Sequence, residues 1–171
     1  MTNSSQNLSP LQVERLKYQP KLPASLTQGI NKLELVEGAA TEAIRDQEQI
    51  KELFKNTYGK PLVTFESVSE EKTSEVKNVG VILSGGQAPG GHNVIAGLYD
   101  ALKSANSENK LYGFLGGPAG IIDGKYVEFT DSFIDEYRNT GGFDIIGSGR
   151  TKLETQEQFE KSLKVCKNLE L

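Results

Sequence analysis

Up to about residue 75 the apolar positions are spaced singly among charged ones, and beyond it they gather into short unbroken runs that end in glycine. "PLQVERLKYQP" predicts a short helix, with Pro10 near its start and Pro20 past its end. "KLPASL" reads as extended. From Thr41 to Asn56 the spacing predicts a helix with Ile44, Ile50, Leu53 and Phe54 on its apolar face, stopped by Gly59-Lys60-Pro61. "LVTFESV" alternates as a strand does, and "SEEKTSEVKN" is a polar linker. "VGVIL" (79–83) then reads as a buried strand, and Gly91 to Ser104 as a helix with Val94, Leu98 and Leu102 one turn apart. "LYGFL" (111–115) is a second strand, followed by the loop "GGPAGIIDGKY". Thr130-Asp131 caps a helix running to Tyr137, and "FDIIGSGR" is a short strand or extended segment that ends in a loop. Thr155 to Gln158 approaches a capping box and opens a helix whose apolar face is Phe159, Leu163, Cys166 and Leu169.

Strands alternating with helices predict βαβ units around a parallel sheet. The expected division is a mostly helical N-terminal extension over 1–75, disordered over 1–9, and the first part of an α/β domain over 76–171. The chain stops just after its last helix, where the pattern calls for another strand. The expectation is therefore an incomplete sheet, with the faces of "VGVIL", "LYGFL" and "FDII" partly uncovered and prone to associate.

Glycine sharpens this division: three of the 18 glycines (Gly29, Gly38, Gly59) precede residue 80, and the other 15 lie within 80–149. The net charge of -4 argues against a broad nucleic-acid footprint, though a few local donors can still bind one anion on an acidic protein. Cys166 is the sole cysteine, which excludes an internal disulfide and suits a reducing cytoplasm. His92 is the sole histidine, so there is no Cys/His cluster for zinc and no histidine-based triad to assign. No apolar run approaches the roughly 20 residues of a membrane span, and the polar start "MTNSSQNLSP" does not read as a signal peptide.

The chemistry lies in the loops. "SGGQAPGGHN" (84–93) follows the first buried strand and precedes a helix. Gly85 to Gly90 fits G-x-x-x-x-G, but Gly91 and His92 stand where a P-loop has Lys and Ser/Thr, and the adjacent Gly85 and Gly86 break the dinucleotide pattern. Such a loop still favours an anion. Glycines let backbone N–H groups approach a ligand, and the helix that follows directs its N-terminus at the strand tip. The alternative is a glycine-rich turn with no ligand. In "GSGR", Arg150 is placed for forked contacts to phosphate oxygens, or else is a surface arginine or one paired with Glu154. "GGPAG" belongs on the same sheet edge and can wall the site.

"GVILSGGQAPGGHNVIAGL", "LYGFLGGPAGIIDGKYVE" and "RNTGGFDIIGSGRTKLETQEQF" resemble the phosphofructokinases, and more narrowly the long, plant-type pyrophosphate–fructose 6-phosphate 1-phosphotransferases. "ERLKYQPKLP" and "NTYGKPLVTF" are similar to that group's N-terminal extension. The resemblance covers nearly the whole chain and implies a phosphofructokinase-like parallel-sheet βαβ sandwich. It further implies reversible, magnesium-dependent phosphoryl transfer from pyrophosphate to C1 of fructose 6-phosphate, in a cytoplasmic homo-oligomer.

By position, the resemblance places Gly85, Gly86 and Gln87 against the diphosphate and assigns Arg150 to the donor phosphates and the transferring group. Gln87 stands where ATP-dependent relatives have Asp, Pro118 near their donor-contacting Tyr, and His92 where they have Met, as in the pyrophosphate-using branch. The family's glycine-glycine-aspartate magnesium loop, its general base and its sugar-phosphate residues lie beyond the matched motifs. Asp123, Asp131 and Asp144 read as turn or cap residues rather than metal ligands. The chain is thus expected to be the N-terminal portion of such an enzyme, inactive alone. The alternatives are a non-catalytic phosphate-binding or regulatory subunit, or an ATP-dependent 6-phosphofructokinase.

Overall fold

The chain was analysed as a computed structural model, which describes residues 9–171. The disordered tail expected over 1–9 lies outside the described residues except for Ser9. That residue caps the first helix: its hydroxyl accepts from Gln12 N–H, and its own N–H donates to the Gln12 side chain. The chain divides into two units, one formed by the stretch up to Lys21 together with Ser74–Leu171, the other by Leu22–Thr73.

In the larger unit, α1 (Pro10–Lys17) carries proline at its first turn, where no donor is lost. Its C-terminal end is held by the Asn139 side chain, which donates to the carbonyls of Arg15 and Tyr18. The sheet has three strands in the order β3 (Asn78–Val81), β4 (Lys110–Phe114), β5 (Tyr126–Glu128). β3 and β4 are parallel, with Asn78 opposite Lys110 and Val81 opposite Gly113. A right-sized crossover, α3 (Gly91–Ala105), joins them, as a parallel pair requires. Buried Asn109 ends the crossover, accepting from Lys77 N–H and donating to the Leu102 carbonyl.

β5 was not foreseen. It runs antiparallel to β4, and a short helix, α4 (Pro118–Asp123), fills what reads as loop in the sequence. Both are too short for periodicity to reveal. α5 (Asp131–Tyr137) begins at Thr130 as expected, with the Thr130 hydroxyl accepting from Phe133 N–H. α6 (Gln156–Asn168) opens with the complete Thr155/Gln158 capping box.

Alternation along β4 divides the core. Leu111 joins Leu83, Ile95, Ala96, Tyr99, Phe129, Ile134, Ile145 and Ile146 in one apolar cluster. Tyr112 and Phe114 point the other way, and both meet Tyr126 edge-on. Glycines inside the strands admit these rings. A Cβ on Gly80 would lie 2.8 Å from the Phe114 ring, and one on Gly113 2.6 Å from Phe129 and from Ile146.

The expected partly uncovered strand faces are corrected only in part: Leu111, Tyr112, Phe114, Ile145 and Ile146 are buried within this chain, whereas Val79, Val81 and Ile82 are half-buried and Leu115 is exposed. "FDII" supplies core residues without becoming a strand; in "FDIIGSGR" the ladder contact is the isolated parallel bridge between Ser84 and Gly149. The helix faces also differ from their sequence patterns. On α3 the buried residues are Gly91, His92, Ile95, Ala96 and Tyr99, Leu98 and Leu102 are half-buried, and Val94 is 65% exposed. On α6, Phe159 and Leu163 are exposed and Ser162 is buried.

In the smaller unit, β1 (Leu33–Ala40) and β2 (Pro61–Ser67) form an antiparallel pair, with Leu35 opposite Phe65 and Glu37 opposite Val63. The mostly helical extension thus contains a strand, β1, that the sequence reading passed over. The helix expected over Thr41–Asn56 shortens to α2 (Gln47–Leu53), leaving Ile44 98% exposed. "KLPASL" holds a 3-10 turn at Ala24–Leu26 rather than an extended run. No residue of Leu22–Thr73 is buried, so backbone pairing organises this unit rather than a core.

Candidate functional site

Three glycine loops leave the sheet in the larger unit, and close backbone packing joins them. The first follows Leu83. Gly85 has φ +108, a conformation that L side chains rarely adopt, and its N–H donates to the Gly149 carbonyl at 2.9 Å. The second begins with Gly116 and Gly117, at φ +73 and +77, and Gly116 N–H donates to the Ile146 carbonyl at 2.8 Å. The third runs from Gly147 to Arg150. A Cβ on Gly117 would lie 2.8 Å from Gly149 Cα, and one on Gly149 would press on the Gly116 carbonyl. The second loop thus packs on the third, backbone against backbone.

Gly85, Gly86, Gln87 and Arg150 fall in the first and third of these loops. A Cβ on Gly86 would lie 3.0 Å from Arg150 Nη2, which brings the guanidinium against the first loop's backbone. Around Gly85 nothing lies within 4 Å of a Cβ position. Gly86, Gln87 and Arg150 are exposed. The pairing of Arg150 with Glu154 does not form: Glu154 lies 3.8 Å from Lys152, and among the described residues no ion pair engages Arg150. The arrangement offers a planar cation beside an open glycine backbone, which suits a multiply charged oxyanion. Because Gly85 N–H is engaged by Gly149, that glycine shapes the loop rather than donating to a ligand.

The N-terminus of α3 is more occupied than its sequence suggests. His92 N–H donates to the Gly142 carbonyl at 3.0 Å, and Gly90 N–H to the Gly141 carbonyl at 2.7 Å. Gly91 and Gly142 are glycines for a steric reason. A Cβ on the first would strike the Phe143 ring, and one on the second would lie 2.5 Å from the His92 ring. The sequence marks His92 as the sole histidine and as a departure from the P-loop and from ATP-dependent relatives, without giving it a contact. The signal that it packs against residues 140–145 was the matching glycine pairs, Gly90-Gly91 and Gly141-Gly142.

The groups with shifted acidity are structural. Burial first, then the hydrogen bond to Asp131, pushes Tyr99 up to about 12. Arg138 is held protonated above its usual range, chiefly by its forked bonds to Asp100. The three aspartates stand apart. Asp123 pairs with Lys125 at 3.3 Å, Asp131 accepts from Tyr99, and Asp144 lies beside His92. Among the described residues no group of three or more His, Cys, Asp or Glu side chains is placed to hold a metal. No described helix is long and apolar enough to cross a membrane.

No family model matches the chain. It is 56% identical over 163 residues to the pyrophosphate–fructose 6-phosphate 1-phosphotransferase of Porphyromonas gingivalis, covering 95% of this chain and 29% of that protein. It is 47% identical over 165 residues to the enzyme of that name from Entamoeba histolytica, covering 96% and 30%. Among solved structures, Pichia pastoris phosphofructokinase in the T-state aligns with a TM-score of 0.40 at 20% identity, over 61% of this chain and 12% of that one. The chain thus spans under a third of the length of the curated relatives it matches, and the matched part is their N-terminal segment. Over that segment, its sequence is similar to the pyrophosphate–fructose 6-phosphate 1-phosphotransferases.

Proposed function

We propose that this chain forms the pyrophosphate-binding part of an enzyme that moves a phosphoryl group, reversibly, from pyrophosphate to the C1 hydroxyl of fructose 6-phosphate. The observation that carries the reading is the exposed Arg150 guanidinium lying against Gly86, with no carboxylate paired to it among the described residues. Phosphoryl transfer asks little covalent chemistry of a protein. Its demands are positioning and neutralisation of charge on the migrating group. In this assignment Gly85 sets the turn, Gly86 and Gln87 present the loop to the diphosphate, and Arg150 holds the donor and gains most as charge redistributes in the transition state. Gln87, in place of an aspartate, and the long N-terminal stretch favour pyrophosphate over ATP.

Magnesium is implied by the family and would neutralise the diphosphate. The described residues do not fit a magnesium site. The sugar phosphate, the base for its hydroxyl, a homo-oligomeric assembly and a cytoplasmic, glycolytic setting belong to the same proposal for the whole enzyme.

The test is a chimera in which this chain replaces the matched segment of the Porphyromonas gingivalis relative. It should turn over with pyrophosphate and not with ATP. Arg150→Ala should lower kcat by roughly 10³–10⁵, the range of an arginine finger, and Arg150→Lys should recover only part of it. A raised KM for pyrophosphate with kcat intact would make Arg150 a binding residue alone. An active chimera indifferent to Arg150→Ala would reject the site. The 171-residue chain by itself should form no fructose 1,6-bisphosphate.

A further inference from the structure

His92 is 4% exposed and its ring is engaged at both nitrogens. Nε2 faces the backbone N–H groups of Asp144 and Ile145, at 3.0 and 3.1 Å. Nδ1 faces Thr140 Oγ1, which also lies within hydrogen-bond reach of the Tyr137 carbonyl. The carbonyl can only accept, so the threonine hydrogen goes to Tyr137 and its oxygen must accept from Nδ1–H. The two amides can only donate, so Nε2 must carry its lone pair. Both ends specify the same state: neutral imidazole with its proton on Nδ1. Asp144 Oδ1, 2.9 Å from Nε2, favours the opposite, a proton on Nε2. That carboxylate is 78% exposed and free to turn to water, whereas the amides are fixed in the backbone, so the amides decide.

The ring joins two site elements. His92 lies in the first turn of α3, directly after the Gly85–Gly90 loop, and the amides it accepts begin the segment that runs through Ile145 and Ile146 to Arg150. Gly90 N–H on Gly141, and Asn93 Oδ1 accepting from Gly141 N–H, brace the same junction. The edge of the Tyr137 ring, 4.9 Å between centroids, closes the remaining side.

We infer that His92 is a positioning residue that sets the Arg150 loop against the Gly86 loop by accepting the Asp144 and Ile145 amides as a neutral Nδ1–H imidazole. It touches neither phosphate nor sugar. The inference deepens the proposed diphosphate site and rests on it for its ligand readout, but not for its structural one.

The test uses the 171-residue chain. Nitrogen NMR of the ring should show a pyrrole-type Nδ1 and a pyridine-type Nε2. His92→Phe keeps an aromatic ring and loses the acceptor. It should speed amide exchange at Asp144, Ile145 and on through Gly149 about tenfold, as one lost hydrogen bond allows, and weaken pyrophosphate binding by a similar factor. His92→Gln, whose Oε1 can reach the Nε2 position, should restore both in part. If His92→Phe does not fold, Thr140→Val removes the acceptor of Nδ1–H, loosens the hold on the ring, and should move the same amides in the same direction. A pyridine-type Nδ1, or exchange through Gly147–Gly149 unchanged in whichever variant folds, overturns the inference. Amides that respond as expected in a chain that binds no pyrophosphate would leave the role of His92 standing and count against the diphosphate site.

Discussion

Gly117→Ala should be among the most damaging single-methyl substitutions in this chain, with no ligand involved. Gly117 sits at φ 77 and ψ -147, a region essentially reserved for glycine, and forcing alanine there costs roughly 1–3 kcal/mol. The new Cβ would also lie 2.8 Å from Gly149 Cα and 3.0 Å from its carbonyl oxygen, and closer to its amide nitrogen. These are backbone atoms that cannot swing aside, so overpacking adds roughly 1–3 kcal/mol. Together the loss is about 4 kcal/mol, a large share of the roughly 5–15 kcal/mol that holds a domain. Gly116→Ala is the control. Its φ is +73, but nothing lies within 4 Å of the Cβ position, so only the left-handed backbone penalty of about 1–2 kcal/mol applies. Urea unfolding followed by far-UV circular dichroism measures both. If the two variants agree within about 0.5 kcal/mol, the ordinary scatter of surface substitutions, the packing of the second loop on the third is not what makes Gly117 a glycine.

Two further predictions concern the scaffold. Tyr99 ionises near 12 in the folded chain against 10.0 for a free phenol, so its contribution to stability is whole below pH 10 and is lost as pH rises towards 12. Tyr99→Phe should cost about 1 kcal/mol at neutral pH and flatten that alkaline fall, and urea midpoints measured from pH 8 upward that run parallel for the two proteins would refute it. Thr155→Ala breaks the capping box of α6 and should destabilise by about 1 kcal/mol, read as a shift in urea midpoint, with Thr155→Ser close to neutral.

Much of this was legible in the sequence where one local force dominates. Ser/Thr caps placed the starts of α5 and α6, and uninterrupted apolar runs located β3 and β4. The convergence of the first and third loops followed from the rule that parallel strands end on one edge. Legibility failed where tertiary packing overrides pattern. The period-3.6 stripe through Val94, Leu98 and Leu102 marks only the margin of the buried face of α3: Leu98 and Leu102 pack against the cluster, whose centre is Ile95 and Tyr99, and Val94 is exposed. β5 and α4 are shorter than the windows that reveal periodicity. Leu33 and Leu35 do alternate with Glu34, yet β1 is organised by its β2 partner rather than by burial. At the site, residue types announced Arg150 and the glycines. That Gly85 N–H is engaged, that Arg150 has no carboxylate partner, and that His92 braces the third loop depend on contacts between segments about 50 to 60 residues apart, which no local pattern encodes.

The interlocking of Gly116, Gly117 and Gly149 bears on how such chains can diverge. Gly117 and Gly149 lack a side chain because another segment of the same protein occupies the space, and Gly116 because its backbone is left-handed, so purifying selection on folding alone would keep them. A descendant that had abandoned its chemistry would go on displaying the same glycine signature for as long as it still folded. The signature therefore certifies architecture and is silent about turnover. Under the proposed diphosphate reading, the positions free to drift if catalysis were relaxed are the ones facing solvent, Gln87 and Arg150, together with Gly86, where a side chain would meet only the flexible end of that arginine. On that reading those three positions, and not the more numerous packed glycines around them, would distinguish working copies from silent ones.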